Sequence, residues 1–292
     1  MVSSQRASGT AIVPQVPMIP EAQLDSYTYS PTATTYGSNI PAAWAYATGL
    51  GVTVGMIDDG FTPSLLTNFN SAVSRSLGAP GLQEPSGGFH GTTTSAEIGG
   101  SGANGEPIGI APNATMALFK VDMGNAPFSE FVNALTDAAA ASSVVNNSWG
   151  FGGFDGGSPS NPQFAAWYAA LQTAVARDRG GLGDAIVFAA GNDRADGNDI
   201  GLQPIDDDPR VIAVAATNLN GTVASFSNPG AGLLVSALGV NVTVSPPSGG
   251  YAYGSGTSYS APTVSAIVAM MLQADPKARP NNNRFRSALW GR

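Results

Sequence analysis

His90 is the only histidine in the chain and the residue best suited to move a proton near neutral pH. It lies in residues 89–97 (FHGTTTSAE), where small side chains favour a closely packed helix that begins at the histidine. A neutral imidazole with a pKa near the working pH is an effective general base. Because a lone histidine is more often an ordinary surface or core residue, a catalytic role needs partners elsewhere in the sequence.

Two residues have the chemistry to be those partners. Asp58 ends the apolar run 52–57, and a carboxylate at the end of a parallel strand faces the crevice where α/β folds bind ligands. Ser258 leads into the apolar segment 261–272, so helix N–H groups and the positive dipole end would lie beside its hydroxyl. Each has an ordinary alternative, since Asp-Gly pairs form turns and serine is a common helix N-cap.

Asn192 adds a candidate for stabilising negative charge. It follows the apolar run 185–190, and its amide has the donor needed by a developing oxyanion. The alternative is an asparagine in a strand-to-loop turn. No single residue decides the function, but the order Asp, His, Ser along the chain is one of the known orders of a catalytic triad.

The elements that must position these residues alternate between strands and helices. Continuous apolar runs, typical of strands covered on both faces, occur at 52–57, 114–121, 143–147, 185–190 and 211–217. Helices are predicted at 41–48, at 129–141, from Pro162 to a stop at Gly180, at 261–272 and at 284–289. This alternation predicts a mostly parallel sheet with helices on both faces. Residues 1–40 are predicted to form an irregular arm, followed by one domain at 41–292.

Composition excludes several classes of function. The net charge of −8, from 12 basic and 20 acidic residues, argues against nucleic-acid binding. Cysteine is absent, which excludes disulfides, thiolate catalysis and Cys-ligated metals. Residues 1–20 lack the pattern of a signal peptide, and no apolar stretch reaches the length of a membrane helix, about 18 residues.

Five motifs resemble landmarks of the subtilisin-like serine proteases, the subtilase family. They are IDDG at 57–60, HGT at 90–92, NSWG at 147–150, AGN at 190–192 and GTSYSAP at 256–262. The match extends over about residues 40–275. The resemblance implies a three-layer subtilisin-like α/β fold, with a mostly parallel central sheet flanked by helices. It also implies an endopeptidase that forms an acyl-enzyme intermediate.

The resemblance assigns a role to each matching residue. Ser258 is the implied nucleophile, His90 the general base and Asp58 the carboxylate that orients the imidazole. Asn192 and the N–H of Ser258 are the implied oxyanion hole. The implied binding segment for an extended peptide consists of Ser148, Trp149 and Gly150. Structural calcium is common in the family, but no metal ligand is assigned, and no organic cofactor is expected.

Some details resemble the kexin and furin-like branch of the family. Asp59 and Trp149 stand where many subtilisins have Thr or Ser and Leu, respectively. Two features depart from that branch: no β-sandwich domain is expected after the catalytic domain, and residues 152–155 (GGFD) replace the expected acidic cluster. A preference for cleavage after basic residues therefore requires other acidic groups near the primary pocket. Calcium binding and a solvated position in a loop are the alternative roles of these groups. The groups are Asp155, Asp193, Asp196 and Asp199.

Two other functions are alternatives to the endopeptidase. A catalytically silent subtilase-fold binding protein is disfavoured because all three triad residues are present. A lipase or esterase is disfavoured because Ser258 lacks a Gly-x-Ser-x-Gly setting and the triad order differs. The expected partners are polypeptide substrates and a folding propeptide that this chain lacks, without nucleic acid or membrane insertion. The expected protein is a monomer that is secreted or extracytoplasmic.

Overall fold

The computed structural model describes residues 38–62, 73–76, 89–102, 106–151, 160–246, 250–280 and 283–289. The irregular arm predicted at 1–40 therefore falls almost entirely outside the described residues, as do residues 152–155. Within the described part, the helices are too short or too polar to span a membrane.

A parallel β-sheet forms the centre of the fold. The strands are β1 (Thr53–Asp58), β2 (Val73–Ser76), β3 (Thr115–Lys120), β4 (Val144–Asn147), β5 (Ala185–Ala189), β6 (Ile212–Thr217), β7 (Leu233–Leu238), β8 (Val242–Val244) and β9 (Ala252–Gly254). Seven of them pair in the order β2-β3-β1-β4-β5-β6-β7, with every neighbouring pair parallel. The pair β8 and β9 forms a separate antiparallel ribbon.

Helices connect the strands and cover both faces of the sheet. They are α1 (Ile40–Trp44), α2 (His90–Gly99), α3 (Phe128–Ala141), α4 (Ala165–Ala176), α5 (Asp178–Gly181), α6 (Thr257–Ala274) and α7 (Asn283–Leu289). Short 3-10 turns occur at Pro162–Phe164, Arg194–Asp196 and Ile200–Leu202. The prediction of a three-layer α/β fold is confirmed.

Successive side chains of a strand point to opposite faces, so each central strand contributes to two cores. Val54 and Val187 face the core that contains α2 and α6, which we call the α2/α6 face. Ile57 and Phe188 face the core that contains α3 and α4, which we call the α3/α4 face. The sheet thus separates two packing environments.

The five predicted strands correspond to β1 and β3–β6, with ends that differ by at most one residue. Strands β2, β7, β8 and β9 were not predicted. Most of β7 is only partly buried, and its sequence lacks the continuous burial that marked the central strands. Helix α1 is shorter than predicted, and α6 begins at Thr257 rather than Ala261.

Candidate active site

Asp58 and His90 meet where the start of α2 packs against the end of β1. The Nδ1 atom of His90 lies 3.0 and 3.1 Å from Oδ1 and Oδ2 of Asp58. Asp58 is 1% exposed, whereas the His90 side chain is 36% exposed. A Cβ atom at Gly91 would collide with the carbonyl oxygen of Gly60, so glycine is needed for this approach. The imidazole therefore bonds a buried carboxylate through one nitrogen while its ring reaches the surface.

Further donors hold the Asp58 carboxylate in place. The backbone N–H of Asp59 donates to Oδ1 at 2.9 Å, and the Thr94 hydroxyl donates to Oδ2 at 3.4 Å. Hydrogen bonds to the ionised form stabilise a buried charge that would otherwise be costly. The arrangement suits a carboxylate that accepts the Nδ1 proton of His90, which is the tautomer in which Nε2 carries the lone pair of a base.

Ser258 lies in the first turn of α6. The N-cap position belongs to Gly256, which has no side chain to cap the helix, so the alternative of Ser258 as a simple N-cap is wrong. Tyr259 brings this turn close to His90, with ring centroids 6.3 Å apart. The first turn of α6 and the first turn of α2 therefore lie side by side.

Pro262 explains how α6 is joined to β4. Proline lacks the N–H that would bond to the carbonyl of Ser258 four residues earlier in the helix. The Ser148 hydroxyl donates to that carbonyl instead, at 2.8 Å. The Ser258 hydroxyl donates in turn to the Ser148 carbonyl, at 3.0 Å. This reciprocal pair fixes the nucleophile candidate against the end of β4.

Asn192 has its amide orientation set by Thr257. Its Oδ1 atom accepts hydrogen bonds from the backbone N–H of Thr257 at 2.8 Å and from the Thr257 hydroxyl at 3.0 Å. The donor atom Nδ2 is thereby turned away from these contacts. Gly191 has a φ of +89°, and a Cβ there would lie 2.5 Å from Nδ2 of Asn228, so glycine permits the turn that presents Asn192.

A pocket of about 160 Å³ opens beside Ser258. Its described lining includes Ser148, Trp149, Gly150, Phe151, Asn192, Asp193, Gln203 and Ser258. The structure thus brings the predicted binding segment, the oxyanion candidate and the nucleophile candidate to one pocket. Trp149 also packs into the α3/α4 face, with its ring centroid 5.1 Å from that of Phe131.

The four acidic residues considered for the pocket do not share one location. Asp193 lines it, whereas Asp196 and Asp199 are absent from its described lining. The Asp199 carboxylate accepts a hydrogen bond from the N–H of Gly201, as a cap of a 3-10 turn. Asp155 lies outside the described residues.

Gln203 is a pocket residue that the sequence did not single out. It is 2% exposed, and its Nε2 donates to the carbonyl of Phe151 at 3.3 Å. Its Oε1 atom has no hydrogen-bond partner in the described part of the chain. No motif marks this position, because Gln203 reaches the pocket from a loop well after the Asn192 turn.

Asp59, next to Asp58, carries a second carboxyl at this edge of the sheet. Burial, followed by the charge of Asp58, raises its pKa to about 6, while the charge of His90 acts in the opposite direction. Asp58, Asp59 and His90 form the one cluster of three His, Asp or Glu side chains found among the described residues. It does not fit calcium, which prefers six to eight oxygen ligands, because it includes an imidazole bonded to Asp58.

Comparison with solved structures supports the fold. A protease from Pseudoalteromonas arctica superimposes with a TM-score of 0.71, at 24% identity, over 90% of this chain and 88% of that one. At this level of identity the likeness extends to the architecture alone.

Comparison of sequences identifies the family. The alkaline protease of Alkalihalobacillus alcalophilus is 33% identical over 233 residues, which cover 78% of this chain and 56% of that protein. Subtilisin Savinase of Lederbergia lenta is 32% identical over 78% of this chain and 79% of its own length. The chain therefore spans little more than half of the first relative. The family model described as "Subtilase family" matches residues 49–289, and the chain belongs to the subtilase family.

Proposed function

We propose that this chain is a serine endopeptidase that hydrolyses peptide bonds through Asp58, His90 and Ser258. The observation that carries the proposal is the bond between His90 and the buried Asp58 carboxylate beside the helix turn that contains Ser258. Membership of the subtilase family and the names of the relatives agree with it. The proposed catalytic domain comprises residues 41–292.

The first step transfers a proton and forms a covalent bond. The Ser258 hydroxyl has a single proton, which is donated to the Ser148 carbonyl in this structure. In the reaction that hydrogen bond changes partner, and Nε2 of His90 accepts the proton as Oγ attacks the scissile carbonyl carbon. The Asp58 carboxylate keeps the imidazole in the required tautomer and stabilises its positive charge.

The second part of the cycle breaks the peptide bond. The negative charge that develops on the carbonyl oxygen is stabilised by Nδ2 of Asn192 and the N–H of Ser258. His90 returns its proton to the leaving amine as the C–N bond breaks, which leaves an ester on Ser258. Water, activated by the same imidazole, then hydrolyses the ester and restores the hydroxyl.

Substrate recognition combines backbone contacts with one side-chain pocket. In this proposal Ser148, Trp149 and Gly150 pair with an extended peptide through main-chain hydrogen bonds. The pocket beside Ser258 then receives the side chain on the acyl side of the cleaved bond, called P1. Its acceptor groups are Oε1 of Gln203 and the carboxylate of Asp193. These groups support a preference for P1 side chains that carry N–H donors, as basic residues do.

This preference has a direct test. Peptides that differ only in P1 Arg or P1 Leu should be cleaved with kcat/KM values about 10–100-fold apart in favour of Arg, as expected for a hydrogen bond to a charged group. The variant Gln203→Leu should reduce that ratio while leaving cleavage of the Leu peptide within about threefold. Stronger cleavage of the Leu peptide by the parent would contradict basic specificity.

Several finer features remain predictions. Assignment to the kexin and furin-like branch rests on Asp59 and Trp149, whereas the relatives named above are bacterial subtilisins and alkaline proteases. Structural calcium, secretion, a monomeric state and a separate propeptide are proposed on the family resemblance. The mechanism itself needs no organic cofactor.

Ser258→Ala tests the endopeptidase activity. The variant should lose casein cleavage by about 10⁶-fold and should not react with a fluorophosphonate probe, because the triad acts as a unit around its nucleophile. Ser255→Ala, three residues earlier, is the matched control and should keep both activities. Equal probe labelling of the parent and Ser258→Ala would contradict the proposal, and a parent that neither cleaves nor labels would favour the silent binding protein.

A further inference from the structure

Two helices carry the reacting groups, and they meet through polar side chains beneath the site. Helix α2 begins with His90 and α6 contains Ser258 in its first turn. Deeper in the core, the Thr263 hydroxyl donates to Oε1 of Glu97 at 2.7 Å. Glu97 is 6% exposed and Thr263 is 4% exposed, so this hydrogen bond is shielded from water.

A second contact lies one helical turn nearer the surface. The ring of Tyr259 in α6 lies with its centroid 6.3 Å from that of His90 in α2. Thr93 donates its hydroxyl to the carbonyl of His90, at 2.9 Å. Residues four apart lie on one helix face, so Thr93 and Glu97 of α2 face Tyr259 and Thr263 of α6. The contacts between the helices are therefore in register over a full turn.

Glu97 is an unusual residue for this location. The rest of α2 consists of small or hydroxyl-bearing residues and one isoleucine, all closely packed after the histidine. Burial raises the pKa of Glu97 well above its usual range, and the hydrogen bond from Thr263 acts in the opposite direction. Its Oε2 atom has no partner in the described part of the chain. Glu97 and Thr263 both line a cavity of about 10 Å³, which is about enough for one water molecule.

Burial of this carboxyl group costs free energy, so we expect the side chain to have a role that compensates for it. We propose that the Glu97–Thr263 hydrogen bond is a positioning contact, which holds α2 and α6 at the register where His90 meets Ser258. The inference depends on the proposed endopeptidase function. Glu97 lies seven residues after His90 and Thr263 lies five after Ser258, so a slip at this contact is carried along two rigid helices to the reacting atoms. Neither residue touches the substrate.

The test separates positioning from simple stability. Thr263→Val keeps the shape of the side chain but removes the donor. It should lower kcat about tenfold, with KM unchanged within about twofold, because small misalignments reduce the reaction rate more than binding. The rate of fluorophosphonate labelling should fall by the same factor, since labelling needs the Ser258–His90 alignment but no peptide binding. Glu97→Gln keeps an acceptor of the same shape and should stay within about threefold of the parent.

Two controls complete the experiment. Ser142→Ala removes another buried hydroxyl bond, to the carbonyl of Ala138 on the α3/α4 face, and should leave kcat unchanged. In a double-mutant cycle, Glu97→Leu and Thr263→Val together should be no worse than the more severe single variant. An unchanged kcat in Thr263→Val, or fully additive losses, would overturn the inference while the endopeptidase function stands. A parent without activity would overturn both.

Discussion

The two faces of the sheet are built from different kinds of residue. On the α3/α4 face, aromatic rings pack on one another, with centroids 4.6 Å apart for Phe128 and Phe164 and 5.4 Å apart for Trp149 and Phe188. On the α2/α6 face, the helices carry small side chains and buried hydroxyls, including Thr92, Ser95 and Ser260. His90 and Ser258 of the candidate site both lie on helices of the α2/α6 face.

This difference indicates a division of labour. Aromatic pairs each contribute about 0.5–1.5 kcal/mol beyond the burial of their area, and they tolerate small displacements. Buried hydroxyls and carboxyls stabilise a fold little, but they require fixed partners and so define one geometry. We therefore expect the α3/α4 face to determine stability and the α2/α6 face to determine catalysis.

Trp167→Ala is the strongest test of the stabilising role. Trp167 is 0% exposed and packs against Trp149 and Phe188. Its truncation should lower the free energy of unfolding by about 3–5 kcal/mol, measured by denaturant titration. The kcat of the folded variant at low temperature should stay within about threefold of the parent. Tyr46→Ala, at a residue that is 81% exposed, is the control and should change stability by less than about 0.5 kcal/mol. A large loss of kcat in folded Trp167→Ala would contradict the division.

Asn192→Ala tests the proposed catalytic role, as Trp167→Ala tests the stabilising role. Loss of the Nδ2 donor should lower kcat about 10²–10³-fold while KM changes little, because the donor acts on charge present only in the transition state. Stability should fall by about 1 kcal/mol, since the N–H of Thr257 loses its acceptor. Thr257→Val removes the hydroxyl that donates to Asn192 and accepts from the N–H of Gly191, but it keeps the Asn192 amide, so it should have a smaller effect on kcat. A rise in KM at constant kcat would instead indicate a role in ground-state binding.

The sequence predicted the α3/α4 face and the central sheet more completely than the contacts of the α2/α6 face. Strands β1 and β3–β6 are buried on both sides, so their apolar runs are continuous and easily recognised. The start of α6 was misplaced because residues 257–260 are polar or aromatic and Pro262 follows. Proline there does not end the helix, since Ser148 supplies the donor that the Ser258 carbonyl would otherwise lack.

Long-range contacts account for what was missed. Glu97 and Thr263 are 166 residues apart, and neither stands in a recognisable motif of its own. The only local signal was an acidic residue within a helix of small side chains. Gln203 likewise reaches the pocket from a loop well after the Asn192 turn, and its Nε2 donates to the carbonyl of Phe151, 52 residues earlier in the chain. The positions of such residues relative to the site are known only when the strands are placed side by side in the fold.

Asp59→Asn has the smallest expected effect. It tests whether the carboxylates at the end of β1 lower the free energy of unfolding. Because the folded-state pKa of Asp59 is raised from 3.8 to about 6, the folded protein binds more protons than the unfolded chain between these values. Stability from this group is complete below about pH 4 and is lost as the pH rises to about 6. The amide variant lacks this loss. Relative to the parent, its free energy of unfolding should rise by about 1 kcal/mol from pH 4 to pH 7, after allowance for solvent screening.

The measurement is a series of denaturant titrations of both proteins across that pH range. The expected result is a difference in the free energy of unfolding that grows between pH 4 and 6 and is constant above pH 6. It would show that the end of β1 holds a charged carboxylate at the expense of stability. Burial is the largest cause of the raised pKa of Asp59, and the charge of Asp58, the group that bonds His90, is the second, so part of the cost follows from the proposed catalytic arrangement. If the difference in the free energy of unfolding does not depend on pH, or grows as the pH falls, the site imposes no such cost. The two faces of the sheet would then differ in composition alone.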